Sequence, residues 1–429
     1  MAIAAEGVSD WPQWGRDPTF HSFSPVRDKP HGPRPSEWTF IAKDRVVGSP
    51  AVVGDRVWFG SDDGFFRCVN RTTGRLLWSF APTGGNKTCK GNECEHGLCR
   101  CTKIRSSPAV DPDSLSVVFG AYDFAIYKLS SAGKLLWRTE TQGTVYGPAT
   151  LHHDSHTGEA SVLIGSFDGF LYRIAAHSGQ ILWRHALGAH GDSGWAVGAD
   201  NTPAMGLVFG VSNEGGNCTS WPPYPPIPGY GGHCFAYAIN LTSGKLVWRT
   251  GTGAPGGGGM LSIDGRRFIA GAWTGNLTSY NVVTGAKEWV VPLGGEIESH
   301  PALGPNGSVI FASAEESKLL VALHSVNGSE IWRYQTGKEI NSSPSVTLDT
   351  VYVGSNDDYL HAVDRETGRR KWKVKTCDNV FASAAVADDG MVYIACNTET
   401  GPAWREKGKG AVYALDPAKQ MSGYMAIQG

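Results

Sequence analysis

The chain has 429 residues, 56 of them glycine and 15 tryptophan, with 18% charged residues and a formal net charge of −2. That balance gives no electrostatic footprint for nucleic acid, and no apolar run reaches the roughly 20 residues that a bilayer-spanning helix needs. Glycine spread this widely predicts many turns, and tryptophan at this level predicts a recurring packing job.

In chain order, the opening MAIAAEGVSDW lacks the apolar core of a signal peptide. Residues 1–36 read as an entry segment that contains WPQWGRDPTFHSFSP. SEWTFIAKDRVVGSP then supplies Trp38 and a short strand. From there one phrase recurs seven times: TTGRLLW to Trp78, SAGKLLW to Trp137, HSGQILW to Trp183, TSGKLVW to Trp248, VTGAKEW to Trp289, VNGSEIW to Trp332 and ETGRRKW to Trp372. Each time, glycine precedes tryptophan by four residues. The intervals between these tryptophans are 59, 46, 65, 41, 43 and 40 residues. The unit is therefore about 40 residues long, with insertions near 82–104 and 214–234. A second phrase accompanies the first: GSPAVV, SSPAVD, YGPATL, NTPAMG, SHPALG and SSPSVT.

Between the two phrases lie apolar runs such as RVWFGS and VYVGSN, bounded by Asp/Gly turns such as Asp168-Gly169. Each unit thus reads as four short antiparallel strands joined by hairpins, with the tryptophan placed to wedge against the next unit. Four strands per 40-residue period predict an all-β propeller. After Trp372 one more unit begins at Ala382 and ends without its own tryptophan strand. The strand at Trp38 is expected to complete it, giving one eight-bladed propeller over residues 37–418 and a tail at 419–429. The ring would then be closed by an N-terminal strand, which removes exposed sheet edges.

Smaller signals sit in the connections. Cys89, Cys94, Cys99 and Cys101 have a spacing that fits two local disulfides better than a zinc site. Cys218 and Cys234 would close a loop worth about 3 kcal/mol. Cys377 and Cys396 are expected on neighbouring strands, leaving Cys68 as a buried thiol. WPPYPPIPGY (221–230) reads either as a contact surface or as a rigid lid on its own blade. HHDSH (His152, His153, His156) reads as a solvated hairpin rather than a metal site. Asn70, Asn86, Asn217, Asn240, Asn276, Asn306, Asn327 and Asn341 head N-x-[ST] triplets. Together with the cysteines they point to a secreted, luminal or periplasmic glycoprotein, although turn chemistry also generates such triplets.

The repeated phrases resemble the pyrroloquinoline-quinone (PQQ) repeat, whose tryptophan-docking signature is close to AVDRETGRRKW (362–372) and AINLTSGKLVW (238–248). The resemblance covers almost the whole chain and implies a fold rather than a job. Some relatives are quinoprotein dehydrogenases that hold PQQ and calcium on the propeller axis. Others are cofactor-free scaffolds, as in bacterial outer-membrane β-barrel assembly.

In SGWAVGADNTPAMGLVFGVSNEGG (193–216) the resemblance places Trp195 at the quinone-stacking position and Asn213 at the calcium-binding position. The structural alternatives are a blade junction for Trp195 and a turn cap for Asn213. The family's catalytic carboxylate has no counterpart between Trp248 and Asp264, where the chain reads RTGTGAPGGGGMLSI. Gly251, Gly253 and Gly256 match G-x-G-x-x-G by accident, since a strand rather than a helix follows. This stretch is expected to be a flexible inter-blade loop beside an open funnel mouth. Trp273 stands where the family carries a cation. The expectation is a monomeric, non-catalytic binding or scaffold propeller. It would carry no cofactor and would hold a protein, peptide or glycan on one face. The alternative is a PQQ- and calcium-dependent dehydrogenase acting on polyvinyl alcohol, alcohols or sugars.

Overall fold

Each unit folds into a four-stranded antiparallel sheet in which strand order in the sheet follows strand order in the sequence. The computed structural model describes residues 10–28, 36–82, 101–187, 190–191, 193–212, 234–397 and 409–421. Blades 1 to 7 comprise the strands within residues 51–80, 109–140, 150–186, 196–251, 258–292, 302–335 and 345–375. Blade 8 takes three strands from residues 385–415, and its outermost strand is Trp38–Ile41. That strand pairs antiparallel with Gly410–Leu415, placing Trp38 opposite Ala414 and Ile41 opposite Ala411. The fold is therefore the expected all-β, eight-bladed propeller, closed by a strand from the N-terminal side. Among the described residues the only helix is a single turn at 417–421, and none is long and apolar enough to cross a membrane.

The repeated tryptophan and glycine meet across blade boundaries. Trp78 Nε1–H donates to the Ser131 carbonyl of blade 2 at 2.9 Å, and Trp137 to Ala176 of blade 3 at 3.0 Å. Trp183, Trp248 and Trp332 repeat this on Leu241, Val282 and Arg365, and Trp38 donates to Arg71 of blade 1 at 2.7 Å. The hairpin glycine of the next blade lies on the indole face. Gly179 has φ +76°, and a Cβ there would stand 2.8 Å from Trp137. One glycine is thus selected twice, for a left-handed turn and for contact with a ring. In blades 1 to 7 the register between third and fourth strands slips beside the tryptophan, as between Arg173 and Ile174. A bulge of this kind re-aims the side chains around it.

The closing seam carries extra polar anchorage. Arg71 of blade 1 reaches Asp388 and Asp389 of blade 8, each at 2.7 Å, and Asp10 at 3.4 Å. Cys377 and Cys396 form a disulfide with Cα atoms 5.6 Å apart. Cys377 lies in the connection into blade 8, not on a strand as expected, so the bond ties that connection to the blade's second strand. Cys101 and Cys234 are also oxidised. Cys68 is a buried free thiol, and burial pushes its pKa up to about 12.

Candidate functional site: the propeller axis

The entry segment is built into the ring. Trp11 exchanges two 2.8 Å backbone hydrogen bonds with Val52 of blade 1, and the Pro12 carbonyl accepts from Val110 N–H of blade 2. Gln13 Oε1 accepts from Leu151 of blade 3 at 2.9 Å. The carbonyls of Pro18, Thr19, His21 and Ser22 then accept from Val197, Leu261, Leu303 and Val346 of blades 4, 5, 6 and 7. Trp14 Nε1–H completes the circuit on Ser383 Oγ of blade 8 at 3.0 Å. Residues 11–22 therefore satisfy the inner-edge N–H groups of seven blades, which would otherwise be open for pairing. The tight coil places Gly15, Arg16, Phe20 and Ser22 at positive φ.

Just inside this segment, the second residue of the Ser-Pro phrase forms a chain of hydrogen bonds. Ser107 Oγ accepts from Ser49 N–H, Ser49 Oγ from Ser383 N–H, Ser383 Oγ from Ser343 N–H and Ser343 Oγ from His300 N–H, all at 2.8–3.0 Å. The serines thus stitch blades 2, 1, 8, 7 and 6, including the seam. Blade 4 corrects the sequence reading. Its inner strand is Ala196–Val197, so its version of the phrase is SGWAVG, while NTPAMG lies in the following hairpin. Blade 5 corrects another: Gly258–Leu261 is the inner strand rather than loop.

The glycines of blades 4 and 5 accommodate His300. A Cβ on Gly258 would lie 2.0 Å from His300 Nε2, and one on Gly194 would lie 2.9 Å from His300 Cε1. The imidazole stacks on Phe20 at 5.0 Å and meets Trp14 edge-on at 4.1 Å. Its Nδ1–H donates to the Gly259 carbonyl at 3.0 Å, and burial drives its pKa down to about 4. Neutral His300, Phe20 and Trp14 thus pack together at this end of the channel. At Gly257 the glycine-rich stretch lines an open cavity, packed so closely that a Cβ there would fall 1.5 Å from the Glu298 carbonyl.

Beyond Trp14 lies a cup of about 330 Å³. Six blades each line it with the residue two places ahead of the axial position: Val47, Arg105, Tyr146, Glu298, Asn341 and Phe381. Tyr122, Phe167 and Trp273 add aromatic wall. Arg105 is fixed by Asp62, with Nη2 at 2.7 Å. Carboxylate oxygens of Glu296, Glu298 and Glu315 all lie within 4.8 Å of one another. Burial raises the Glu296 pKa, and Glu315 and Glu316 add to the rise. Burial likewise raises that of Glu315, with Glu339 and Glu316 adding. Asn341 donates to Glu298 at 3.4 Å and accepts from Asn356 at 2.9 Å. Sequence reasoning missed Arg105, Glu298 and Asn341 as cup residues, although their fixed offset ahead of the Ser-Pro phrase marks them.

The resemblance-derived residues are divided between the cup, the core and the stretches outside the described residues. Trp195 is 0% exposed and occupies the proline place of its phrase. It packs on Gly210 and lies 6.3 Å from Tyr237. Asn213 lies outside the described residues, as do Cys89, Cys94, Cys99, Cys218 and residues 221–230. Trp273 does reach the cup. Asp264 Oδ1 accepts from Ser262 Oγ and Arg266 N–H, as a hairpin aspartate does. His156 N–H is turned onto Asp154 in a hairpin. Asn70, Asn240, Asn306 and Asn327 accept from backbone N–H groups two or three residues on, so turn chemistry accounts for these asparagines.

A family model described as the outer membrane protein assembly factor BamB, of the PQQ-repeat type, matches residues 67–217, 235–306 and 303–419. The assembly factor BamB of Burkholderia pseudomallei is 22% identical over 371 residues, covering 81% of this chain and 84% of that protein. Tetrathionate hydrolase of Acidithiobacillus ferrooxidans is 23% identical over 380 residues, covering 80% of this chain and 70% of that one. The solved quinohemoprotein alcohol dehydrogenase from Comamonas testosteroni superposes with a TM-score of 0.70 at 13% identity, over 95% of this chain and 80% of that one. That likeness is one of fold. With most of its length matched by the family model, the chain belongs to the PQQ-repeat family of the outer membrane protein assembly factor BamB.

Proposed function

We propose that this chain is an extracytoplasmic, non-catalytic propeller that binds a protein or peptide partner. The observation that carries the reading is the packing at one end of the cup: Trp14, Phe20 and His300 fill the space there, and the indole of Trp195 offers no free face for a quinone. The outer strands add a partner surface. Leu76-Leu77, Leu135-Leu136, Ile181-Leu182 and Leu246-Val247 expose apolar pairs on blades 1 to 4, where blades 5 and 7 carry Lys287-Glu288 and Arg370-Lys371. Exposed apolar pairs repeated on neighbouring blades are the kind of surface that a partner covers. The disulfide suits an oxidising compartment, and an assembly factor relative supports a scaffold role.

A quinoprotein dehydrogenase is the second reading. Glu296, Glu298 and Glu315 offer the oxygen ligands that calcium prefers, beside the aromatic cup. The same carboxylates repel a polycarboxylate quinone unless a cation lies between them. Reconstitution with PQQ and calcium, followed by a dye-linked assay over alcohols and sugars, separates the two. The scaffold reading expects no bound quinone absorbance and no turnover. Stoichiometric quinone with turnover would overturn it.

A further inference from the structure

The cup has oppositely charged walls. Arg105 enters with blade 2 and Glu298 with blade 6, four blades apart in a ring of eight, so the two face each other across the axis. On the first wall Arg45 and Arg105 both pair with the buried Asp62, at 3.0 and 2.7 Å. Lys103 and Asp44 lie in the same field. Among these described groups, three cations meet two carboxylates. On the opposite wall the trio of Glu296, Glu298 and Glu315 is reinforced by Glu316 and Glu339. Between the walls stand Tyr122, Tyr146, Phe167, Trp273 and Phe381.

A simple anion would meet the glutamates, and a simple cation would meet the arginines. A ligand with an ammonium at one end and a carboxylate at the other satisfies both, and an apolar middle suits the rings between them. The two charges of a free amino acid sit on one carbon and cannot touch opposite walls. An extended peptide advances roughly 3.3–3.6 Å per residue and separates them. We propose that the cup binds a short peptide with both termini free, its ammonium on the Glu298 wall, its carboxylate on the Arg105 wall and an apolar side chain against the aromatic rings. The proposal rests on the binding-propeller reading above and assigns that reading a ligand class. Approach of the ammonium also relieves repulsion within the glutamate trio, which raises the energetic return at that wall.

The test is calorimetric titration of the full chain, disulfides intact, with the tripeptide Ala-Phe-Ala. Its N-acetylated form, its C-terminal amide and free phenylalanine are the comparison ligands. The tripeptide is expected to bind, with each blocked end costing about tenfold in affinity and free phenylalanine weaker still. Glu298→Gln is expected to weaken the free-amine peptide about tenfold while leaving affinity for the acetylated one unchanged, a pattern that misfolding does not produce. Equal binding of the acetylated and free peptides would overturn the proposal, as would silence from all four. PQQ with calcium is titrated into the same preparation. Quinone uptake would overturn the binding-propeller reading as well, whereas silence from both quinone and peptides would overturn the peptide proposal alone.

Discussion

Single residues at the blade boundaries and on the axis carry separable energies. Gly158 and Gly179 both hold φ above +70°, but a Cβ on Gly158 meets nothing within 4 Å, whereas one on Gly179 meets the Trp137 ring. Gly158→Ala is expected to lose only the left-handed backbone term, ~1–2 kcal/mol. Gly179→Ala adds overpacking of ~1–3 kcal/mol. Chemical denaturation of the two variants reads the docking contribution as their difference, and equal losses would refute it. His300 gives a pH signature. Its folded pKa of about 4 lies below the ordinary histidine value of 6.5, so the unfolded chain binds more protons between those values. The stability that neutral His300 provides is complete above pH 6.5 and is lost as pH falls towards 4, by ~2–3 kcal/mol. His300→Gln is expected to flatten that part of the denaturation-versus-pH curve, and an unchanged slope would contradict the assignment. Cys68 is expected to resist thiol reagents until the protein is unfolded, because burial keeps it protonated.

At the scale of elements, the tryptophan phrase was legible because each of its two fixed residues has no substitute: the indole fills the junction and the glycine lies on it. The inner-strand phrase was legible only where serine closes the axial hydrogen-bond chain. In blades 4 and 5 glycine replaces serine to make room for His300 and Phe20, so the phrase dissolves and NTPAMG stood in for SGWAVG. The entry segment could be recognised as a segment, yet its path could not, since its partners are backbone groups spread over seven blades. Its far end is pinned by Asp28, which accepts from Thr350 Oγ1 and the Tyr352 hydroxyl at 2.6 Å and from Lys371 Nζ at 2.7 Å. Removing this buried carboxylate breaks three hydrogen bonds and leaves Lys371 only Thr350 Oγ1 and the longer pair with Asp349, at 3.6 Å. Asp28→Ala is therefore expected to cost ~3–5 kcal/mol, read as a lowered denaturation midpoint. A loss under 1 kcal/mol would show that the anchor is dispensable.

Over the whole molecule, eight sheets close into a ring whose seam is held three ways: the Trp38 strand, the Arg71 network and the serine chain. Closure turns one position per unit into one ring of side chains around the axis. Sequence reading found the repeat but not the cup, because repeats are recognised by what stays constant while the cup is made of what varies. Arg105, Tyr146, Glu298, Asn341 and Phe381 share a place and nothing else. That variation gives the axis its dipolar wall and argues for a ligand chosen by charge at both ends. The most direct measurement is a crystal structure grown with Ala-Phe-Ala, PQQ and calcium all in excess. The expected map shows the peptide across the cup, amino end at Glu298 and carboxylate at Arg105, with no quinone. A quinone stacked on Trp273, with calcium among Glu296, Glu298 and Glu315, would contradict the account.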